Sequence, residues 1–377
     1  MTLRRLLLST IVVLIGCGGG DDGVDPRYEE PGPYPVGNTT IVVTDASRNR
    51  TLTVEIWYPA DESERGAADT GEAVENFVVD SVDRGDYVGL LAAAPAGCPS
   101  TQTGSARDAV VASNSGQWPL LVFSHCHNCV RFSSFAIAER LASHGFVVAA
   151  PGHIDNTLFD DLAGTAVELD SAFLPVRGAD MSFVIDTMLD GSNTDVPANL
   201  RGTIDPDRVA VYGHSFGGVT TGLVVQDDAR VKAGLAIASP MENPLLEGVL
   251  IANITKPIGF LLAMEDNSIT ELGNLFIRRN FDDATVPVWK AEVTDAGHWS
   301  FSNICGVHEQ FMPGCGSDTR QTDNTPFDYL PVADGLAISQ AYVTAYFSAQ
   351  LLGDDNADRY LSEPRPGQDA VAIDRRD

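Results

Sequence analysis

A glycine-rich segment with the sequence GHSFGG, at residues 213–218, contains the side chain best suited to nucleophilic chemistry, Ser215. The β-branched and aromatic residues 208–212 before it predict a buried strand, and residues 219–226 predict the start of a helix. On such a turn, small neighbours permit the strained backbone that raises the serine Oγ above the sheet. The N–H of Phe216 then lies at a helix N-terminus, where it can face a developing oxyanion. The alternative is a glycine-rich turn with an idle serine, so the prediction of a nucleophile depends on partners elsewhere in the chain.

A nucleophilic serine needs a general base, and His298 is the best-placed histidine. It lies in a loop at residues 295–301, directly after a predicted strand at residues 286–293. The other histidines lie inside the turn, after earlier strands, at a helix end or between two cysteines: His125, His127, His144, His153, His214 and His308. We therefore predict that His298 is the base.

The base needs a carboxylate that fixes its tautomer and stabilises the imidazolium. Asp266 follows a predicted buried strand at residues 258–263, and is our candidate for this role. Its neighbour Glu265 and the earlier Glu242 are the competing candidates.

A second oxyanion donor is expected from the loop at residues 124–127, which follows a predicted strand at residues 120–123. By position we predict the N–H of His127, acting together with that of Phe216. The alternative for this histidine-rich segment is a metal-binding or surface role.

The sequence contains six cysteines, of which five, all those except Cys17, are disulfide candidates first if the protein is exported. Cys305 and Cys315 bracket a short loop and are predicted to close it, while Cys98 is expected to pair with Cys126 or Cys129. Cys126 and Cys129 could instead form a redox C-x-x-C pair, or a metal site with a neighbouring histidine. No second set of metal ligands with suitable spacing accompanies them.

The N-terminus predicts export. Arg4 and Arg5 precede an apolar run at residues 6–15, which has the length of a signal-peptide core and is too short to span a bilayer. The run ends in a sequence that resembles the bacterial lipobox, with Cys17 as the acylated residue. We predict a lipoprotein signal peptide at residues 1–17 and a flexible linker at residues 18–35. An ordinary secretory signal with a chance cysteine is the alternative.

Length and charge exclude several classes of partner. The 377 residues suit one large domain, and the formal net charge of −28 repels nucleic acid and anionic membrane surfaces. Membrane contact is therefore expected only through the N-terminal lipid anchor, at the bacterial outer membrane or cell surface, with secretion as the alternative.

Strands alternate with helices along the chain, which predicts an α/β fold with a mainly parallel sheet covered on both faces. The predicted strands are at residues 39–44, 51–58, 120–123, 146–150, 208–212, 233–238, 258–263 and 286–293. The predicted helices are at residues 80–94, 132–144, 176–189 and 335–351. We expect a catalytic domain at residues 36–360 with an insertion at about 61–117, followed by an acidic tail at 361–377.

Three segments, at residues 120–125, 213–218 and 297–301, resemble the α/β-hydrolase superfamily. The chain is most similar to the branch of platelet-activating-factor acetylhydrolases and dienelactone-hydrolase-like esterases, which includes bacterial polyester hydrolases. Residues 151–157 and 177–180 are also similar to segments of that branch. The resemblance covers about residues 36–352 and implies a central sheet of about eight strands.

Two positions depart from that branch. Cys126 stands where a glycine is expected in the oxyanion loop, and no carboxylate follows the strand that ends at Ser239, where the acetylhydrolases carry their acid. The acid position therefore resembles the dienelactone and polyester-hydrolase pattern, which favours Asp266.

The expected function is hydrolysis of a carboxylic ester, either a small molecule or a lipid, by the triad of Ser215, Asp266 and His298, without cofactor or metal. The alternative is a surface lipoprotein that keeps the hydrolase fold and acts as a non-catalytic binding module. A fluorophosphonate probe separates the two, because it labels only an activated serine.

Overall fold

The computed structural model describes residues 25–113, 116–363 and 369–377. The predicted signal peptide at residues 1–17, its acylation site Cys17, and the first part of the linker, residues 18–24, lie outside the described residues.

A central sheet of ten strands organises the described residues. In chain order the strands of the structure are β1 (Val36–Asp45), β2 (Arg50–Pro59), β3 (Ala106–Arg107), β4 (Trp118–Ser124), β5 (Val147–Pro151), β6 (Ile204–His214), β7 (Val231–Ile237), β8 (Ile258–Ala263), β9 (Val288–Val293), β10 (Ser317–Thr319), β11 (Pro326–Asp328) and β12 (Val371–Arg376). The sheet order is β12-β9-β8-β7-β6-β4-β5-β2-β1-β3, while β10 and β11 form a separate hairpin. Pairing is parallel from β5 through β9 and antiparallel for β1 with β2, β2 with β5 and β9 with β12. The eight strands predicted from the sequence are all present.

Helices cover both faces of this sheet. They are α1 (Arg65–Thr70), α2 (Ser81–Ala93), α3 (Phe135–Ser143), α4 (Leu158–Leu162), α5 (Leu174–Leu189), α6 (Phe216–Asp227), α7 (Thr270–Asp283), α8 (Val332–Leu352) and α9 (Asp355–Tyr360). Side chains of β4 alternate between two cores, because Leu121 and Phe123 pack with α3 and α8, whereas Leu120 and Val122 pack with α5 and α6. This arrangement confirms the predicted α/β-hydrolase architecture. Within the described ranges, every helix is too short or too polar to cross a membrane.

The described parts of both predicted terminal segments contact the domain. Residues 25–35, predicted as part of a flexible linker, pack on the domain, because Tyr28 is buried against Tyr360 and donates to Asp354 Oδ2 at 2.6 Å. Within the predicted acidic tail, the described residues 369–377 contain β12, which pairs with β9. This strand was not predicted, because pairing with a distant strand leaves little local signal in the sequence.

Both disulfide predictions are wrong: Cys305 does not pair with Cys315, and Cys98 pairs with neither Cys126 nor Cys129. The structure pairs Cys98 with Cys315, whose Cα atoms are 5.9 Å apart, and Cys126 with Cys129. Cys305 is a buried free thiol, and burial raises its pKa to about 12. The physical reason is that the loop after His298 turns the Cys305 side chain into the apolar core, while Cys315 lies against the inserted segment.

The inserted segment is structured. The predicted helix at residues 80–94 is confirmed as α2, whose first turn is capped by Asp80 through the N–H groups of Val82 and Asp83. The Cys98–Cys315 bond joins this segment to the loop that follows His298.

Candidate active site

The turn between β6 and α6 holds Ser215 in a strained backbone conformation, with φ 56° and ψ −124°. A Cβ at Gly217 would lie 1.9 Å from the carbonyl oxygen of Ser124, and one at Gly213 would lie 2.1 Å from that of Gly217. These close approaches explain why glycine is needed on both sides of Ser215. The Ser215 N–H donates to the carbonyl of Ile237 at 3.0 Å, which ties the turn to the end of β7.

Asp266 and His298, which are 32 residues apart in the sequence, are hydrogen-bonded in the structure. His298 Nδ1 lies 2.7 Å from Asp266 Oδ2, and both side chains are buried. The other carboxylate oxygen, Oδ1, accepts the N–H groups of Ser268 and Ile269 at 3.0 and 2.9 Å. Because a carboxylate can only accept, His298 carries its proton on Nδ1 and leaves Nε2 available as a base.

The loop that carries His298 is hydrogen-bonded to the turn that carries Ser215. His214, the residue before Ser215, lies with its Nε2 2.8 Å from the backbone oxygen of His298, and the two ring centroids are 4.8 Å apart. Burial and the neighbouring His298 hold the pKa of His214 well below its ordinary value. A neutral His214 can therefore donate from Nε2 to that carbonyl. Trp299 packs edge-on against both imidazole rings.

The competing carboxylates are occupied elsewhere. Glu265 forms an ion pair with Arg320, which also binds Asp295. Glu242 Oε2 accepts the N–H of Ile251 at 2.6 Å. Of the three candidates, the structure brings only Asp266 to His298.

The predicted oxyanion donors lie on neighbouring elements. Phe216 is the first residue of α6, so its N–H has no acceptor within the helix. In the described part of the chain, the N–H of His127 donates no hydrogen bond, and the ring centroids of His127 and Phe216 are 6.3 Å apart. The cysteine at position 126 needs no glycine-like backbone, because the left-handed conformation in this loop is taken by Asn128, with φ 53°.

A pocket of about 260 Å³ opens beside Ser215. None of its lining residues is charged, and most are apolar; they include Val219, Leu246, Ile269 and Phe276. Leu245, which is 71 % exposed, stands at its rim. The pocket is formed by residues from separate loops and helices, so no local sequence pattern predicts it.

Arg177 and Asp180 of α5 were not predicted to have a role, although both are fully buried close to the oxyanion loop. Two charged residues inside an apolar helical segment were the available signal, because such residues are seldom fully buried unless paired.

The chain is similar to known proteins in sequence and in fold. The sequence pattern of the Dienelactone hydrolase family matches residues 107–303, and that of Platelet-activating factor acetylhydrolase, isoform II, matches residues 25–160. A platelet-activating factor acetylhydrolase of Cavia porcellus is 25% identical over 262 residues, which cover 61% of this chain and 58% of that enzyme. Cutinase est1 of Thermobifida alba is 36% identical over 102 residues, which cover 27% of this chain and 28% of that protein.

A solved structure of a ferulic acid esterase from Streptomyces cinnamoneus superposes with a TM-score of 0.68, at 23% identity, over 91% of this chain and 98% of that chain. It supports the fold. The dienelactone hydrolase pattern covers more than half of the sequence, including the serine turn and the histidine loop. The chain therefore belongs to the dienelactone hydrolase family and has the α/β-hydrolase fold.

Proposed function

We propose that the protein is a serine hydrolase that cleaves carboxylic esters through an acyl-enzyme intermediate. Ser215 is the nucleophile, His298 the general base and Asp266 the orienting carboxylate. The observation that carries the proposal is the 2.7 Å bond between His298 Nδ1 and Asp266 Oδ2, in a loop fastened to the residue before Ser215.

In this mechanism the Ser215 hydroxyl gives its proton to His298 Nε2 as Oγ attacks the acyl carbon. The carbonyl oxygen becomes an oxyanion, which the N–H groups of Phe216 and His127 stabilise. The imidazolium then protonates the leaving alcohol, and the acyl group stays on Ser215. A water molecule, deprotonated by His298, releases the acid in the same way.

Asp266 has two tasks in this sequence of steps. Its Oδ2 holds the imidazole in the tautomer that leaves Nε2 unprotonated, and its negative charge stabilises the imidazolium. Because Oδ1 is fixed by two backbone N–H groups, the carboxylate cannot rotate away from His298.

The pocket supports an uncharged substrate. Its lining, which includes Leu246, Ile269 and Phe276, has no charged side chain, so an apolar acyl or alcohol group is stabilised there and a charged group is not. The names of the similar proteins support ester chemistry: an acetylhydrolase, a cutinase and a ferulic acid esterase.

The test is hydrolysis of p-nitrophenyl esters, with acyl groups from acetyl to palmitoyl, by the purified protein. We expect Ser215→Ala to abolish turnover without changing the unfolding temperature, because the side chain lies on the turn and outside the core. Ser192→Ala, in an exposed loop, is the matched control and should retain full activity. Wild-type protein that hydrolyses none of these esters would contradict the proposal and favour a binding module.

We also propose that the protein is exported and anchored by a lipid at Cys17. The support is the sequence of residues 1–17 together with two disulfides, which persist in oxidising compartments. Metabolic labelling with a fatty-acid analogue tests the anchor. Label on the wild-type protein and none on Cys17→Ala is the expected result, whereas an unlabelled wild type leaves a plain secretory signal.

A further inference from the structure

A second Ser–His–Asp array lies buried beneath the oxyanion loop. Ser124 Oγ is 3.0 Å from His153 Nε2, and His153 Nδ1 is 3.0 Å from Asp180 Oδ2. The three side chains are fully buried, so Ser124 cannot meet a substrate and the array is not a second active site. Burying polar groups costs free energy, so we expect the array to hold a neighbouring group in position.

The donors and acceptors of the array follow from the protonation states of Asp180 and His153. Burial raises the pKa of Asp180, but His153 and Arg50 outweigh it and lower the pKa to about 2. Burial and Arg177 lower the pKa of His153 to about 4, against the effect of Asp180. A neutral His153 therefore donates from Nδ1 to Asp180 and accepts from the Ser124 hydroxyl at Nε2.

Arg177 completes the array and is itself fully buried. Its Nη2 donates to Ser124 Oγ at 3.0 Å and also to the backbone carbonyl of His125. Its Nη1 donates to Asn156 Oδ1 at 2.6 Å. Because burial lowers the pKa of Arg177 only to about 9, the guanidinium keeps its charge at neutral pH.

The same guanidinium reaches the element that carries the other oxyanion donor. Arg177 Nε donates to Thr220 Oγ1 at 3.1 Å, and Thr220 Oγ1 donates to the carbonyl of Phe216 at 2.9 Å. The Arg177 Cζ atom also lies 4.7 Å from the centroid of the Phe216 ring. One rigid planar group thus contacts the start of α6 and the oxyanion loop at once.

We infer that Arg177, oriented by the buried array of Ser124, His153 and Asp180, is a positioning residue that sets the spacing between the two oxyanion donors. The inference rests on the proposed function, since it concerns the N–H groups of Phe216 and His127. The side chains of Arg177 and the array contact no substrate, and they affect kcat through the positions of the two N–H donors.

The first test is Arg177→Lys, which keeps the charge but loses the fork that reaches both elements. Removing one oxyanion donor typically lowers kcat by ~10²–10³, and we expect a loss of about 10²-fold here with KM changed by less than about threefold. The inhibition constant of a trifluoromethyl ketone, which forms a tetrahedral adduct on serine, should rise in parallel. Arg230→Lys is the control, because Arg230 lies at the opposite end of β7, where it pairs with Asp186 and Asp228.

Two less disruptive variants, both at Thr220, test the inference if Arg177→Lys does not fold. Thr220→Val removes the acceptor of Arg177 Nε without changing side-chain size, and we expect kcat to fall about 10-fold. Thr220→Ser keeps the hydroxyl and should restore kcat. A purely structural role would lower the unfolding temperature without this rescue pattern in kcat. An active wild type with Thr220→Val unchanged in kcat and in trifluoromethyl ketone affinity overturns the inference; an inactive wild type overturns the proposed function as well.

Discussion

His214 Nε2 lies 2.8 Å from the backbone carbonyl oxygen of His298, so the residue before the candidate nucleophile holds the loop that carries the candidate base. The two imidazole rings are also in contact, with centroids 4.8 Å apart. The position of His298 relative to Ser215 therefore depends on this buried hydrogen bond as well as on the bond between His298 and Asp266.

This contact predicts the effect of two substitutions at position 214. His214→Phe keeps an aromatic ring against Trp299 but leaves the His298 carbonyl unpaired, which costs about 1–3 kcal/mol when the group is buried. We expect kcat to fall at least 10-fold with little change in KM. His214→Gln, whose amide nitrogen can replace Nε2, should retain more activity. Equal kcat values for the two variants would contradict the role of the hydrogen bond.

The carboxylate candidates predict an ordered set of losses. Asp266→Asn puts an N–H where His298 needs an acceptor, and the same change in the serine-protease template lowers kcat by ~10⁴. We expect a loss of several orders of magnitude in kcat for esters. Glu265→Gln and Glu242→Gln are matched controls, because Arg320 and the Ile251 N–H occupy those carboxylates. If Glu242→Gln were inactive and Asp266→Asn active, the carboxylate that orients His298 would be Glu242, which follows β7.

A half-buried glutamate on α3, Glu139, predicts a pH dependence of stability. Burial raises the pKa of Glu139 from 4.5 to about 7, and its carboxylate accepts from Gly104 N and Ser105 Oγ in the inserted segment. Because the folded-state pKa is raised, the folded protein binds the proton more tightly than the unfolded chain does. The stability that the protonated Glu139 adds to the folded state is fully present below pH 4.5 and is lost as the pH rises through 7.

Glu139→Gln removes that titration. Urea unfolding should therefore find the variant more stable than wild type at pH 8 by roughly 1–3 kcal/mol, with the difference vanishing near pH 4.5. Parallel stability curves for the two proteins between these pH values would contradict the assignment.

Much of the site could be predicted from the sequence because its signals are local. The turn around Ser215 is encoded by adjacent glycines between a strand and a helix, and His298 and Asp266 each follow a strongly apolar strand. The remaining features depend on contacts between distant segments. The Cys98–Cys315 bond joins residues 217 positions apart, and β12 pairs with β9 across the whole of α8.

The helix α7 was not predicted for a different reason. It contains polar residues on its exposed side and buries only a few apolar ones, such as Phe276 and Ile277, so it lacks a long apolar pattern. The buried group around Arg177 was not predicted because its partners come from three other segments of the chain.

The disulfide pairing predicts a stability difference. Cys98→Ser should lower the free energy of unfolding by about 2–4 kcal/mol, because the bond restricts a long loop in the unfolded chain. Peptide mapping without reduction should recover Cys98 with Cys315, and Cys305→Ala should leave that linked fragment intact. A fragment that links Cys305 to Cys315 would contradict the pairing.

The proposed ester hydrolysis depends most on an activated serine at position 215. Labelling with a fluorophosphonate probe, followed by mass-spectrometric mapping of the adduct, measures this directly, because the probe reacts only with a serine whose proton is taken up by a base. We predict one adduct, on Ser215, which is absent from Ser215→Ala and strongly reduced in Asp266→Asn. An adduct on another serine, or none on the folded wild-type protein, would contradict the assignment of Ser215 as the nucleophile.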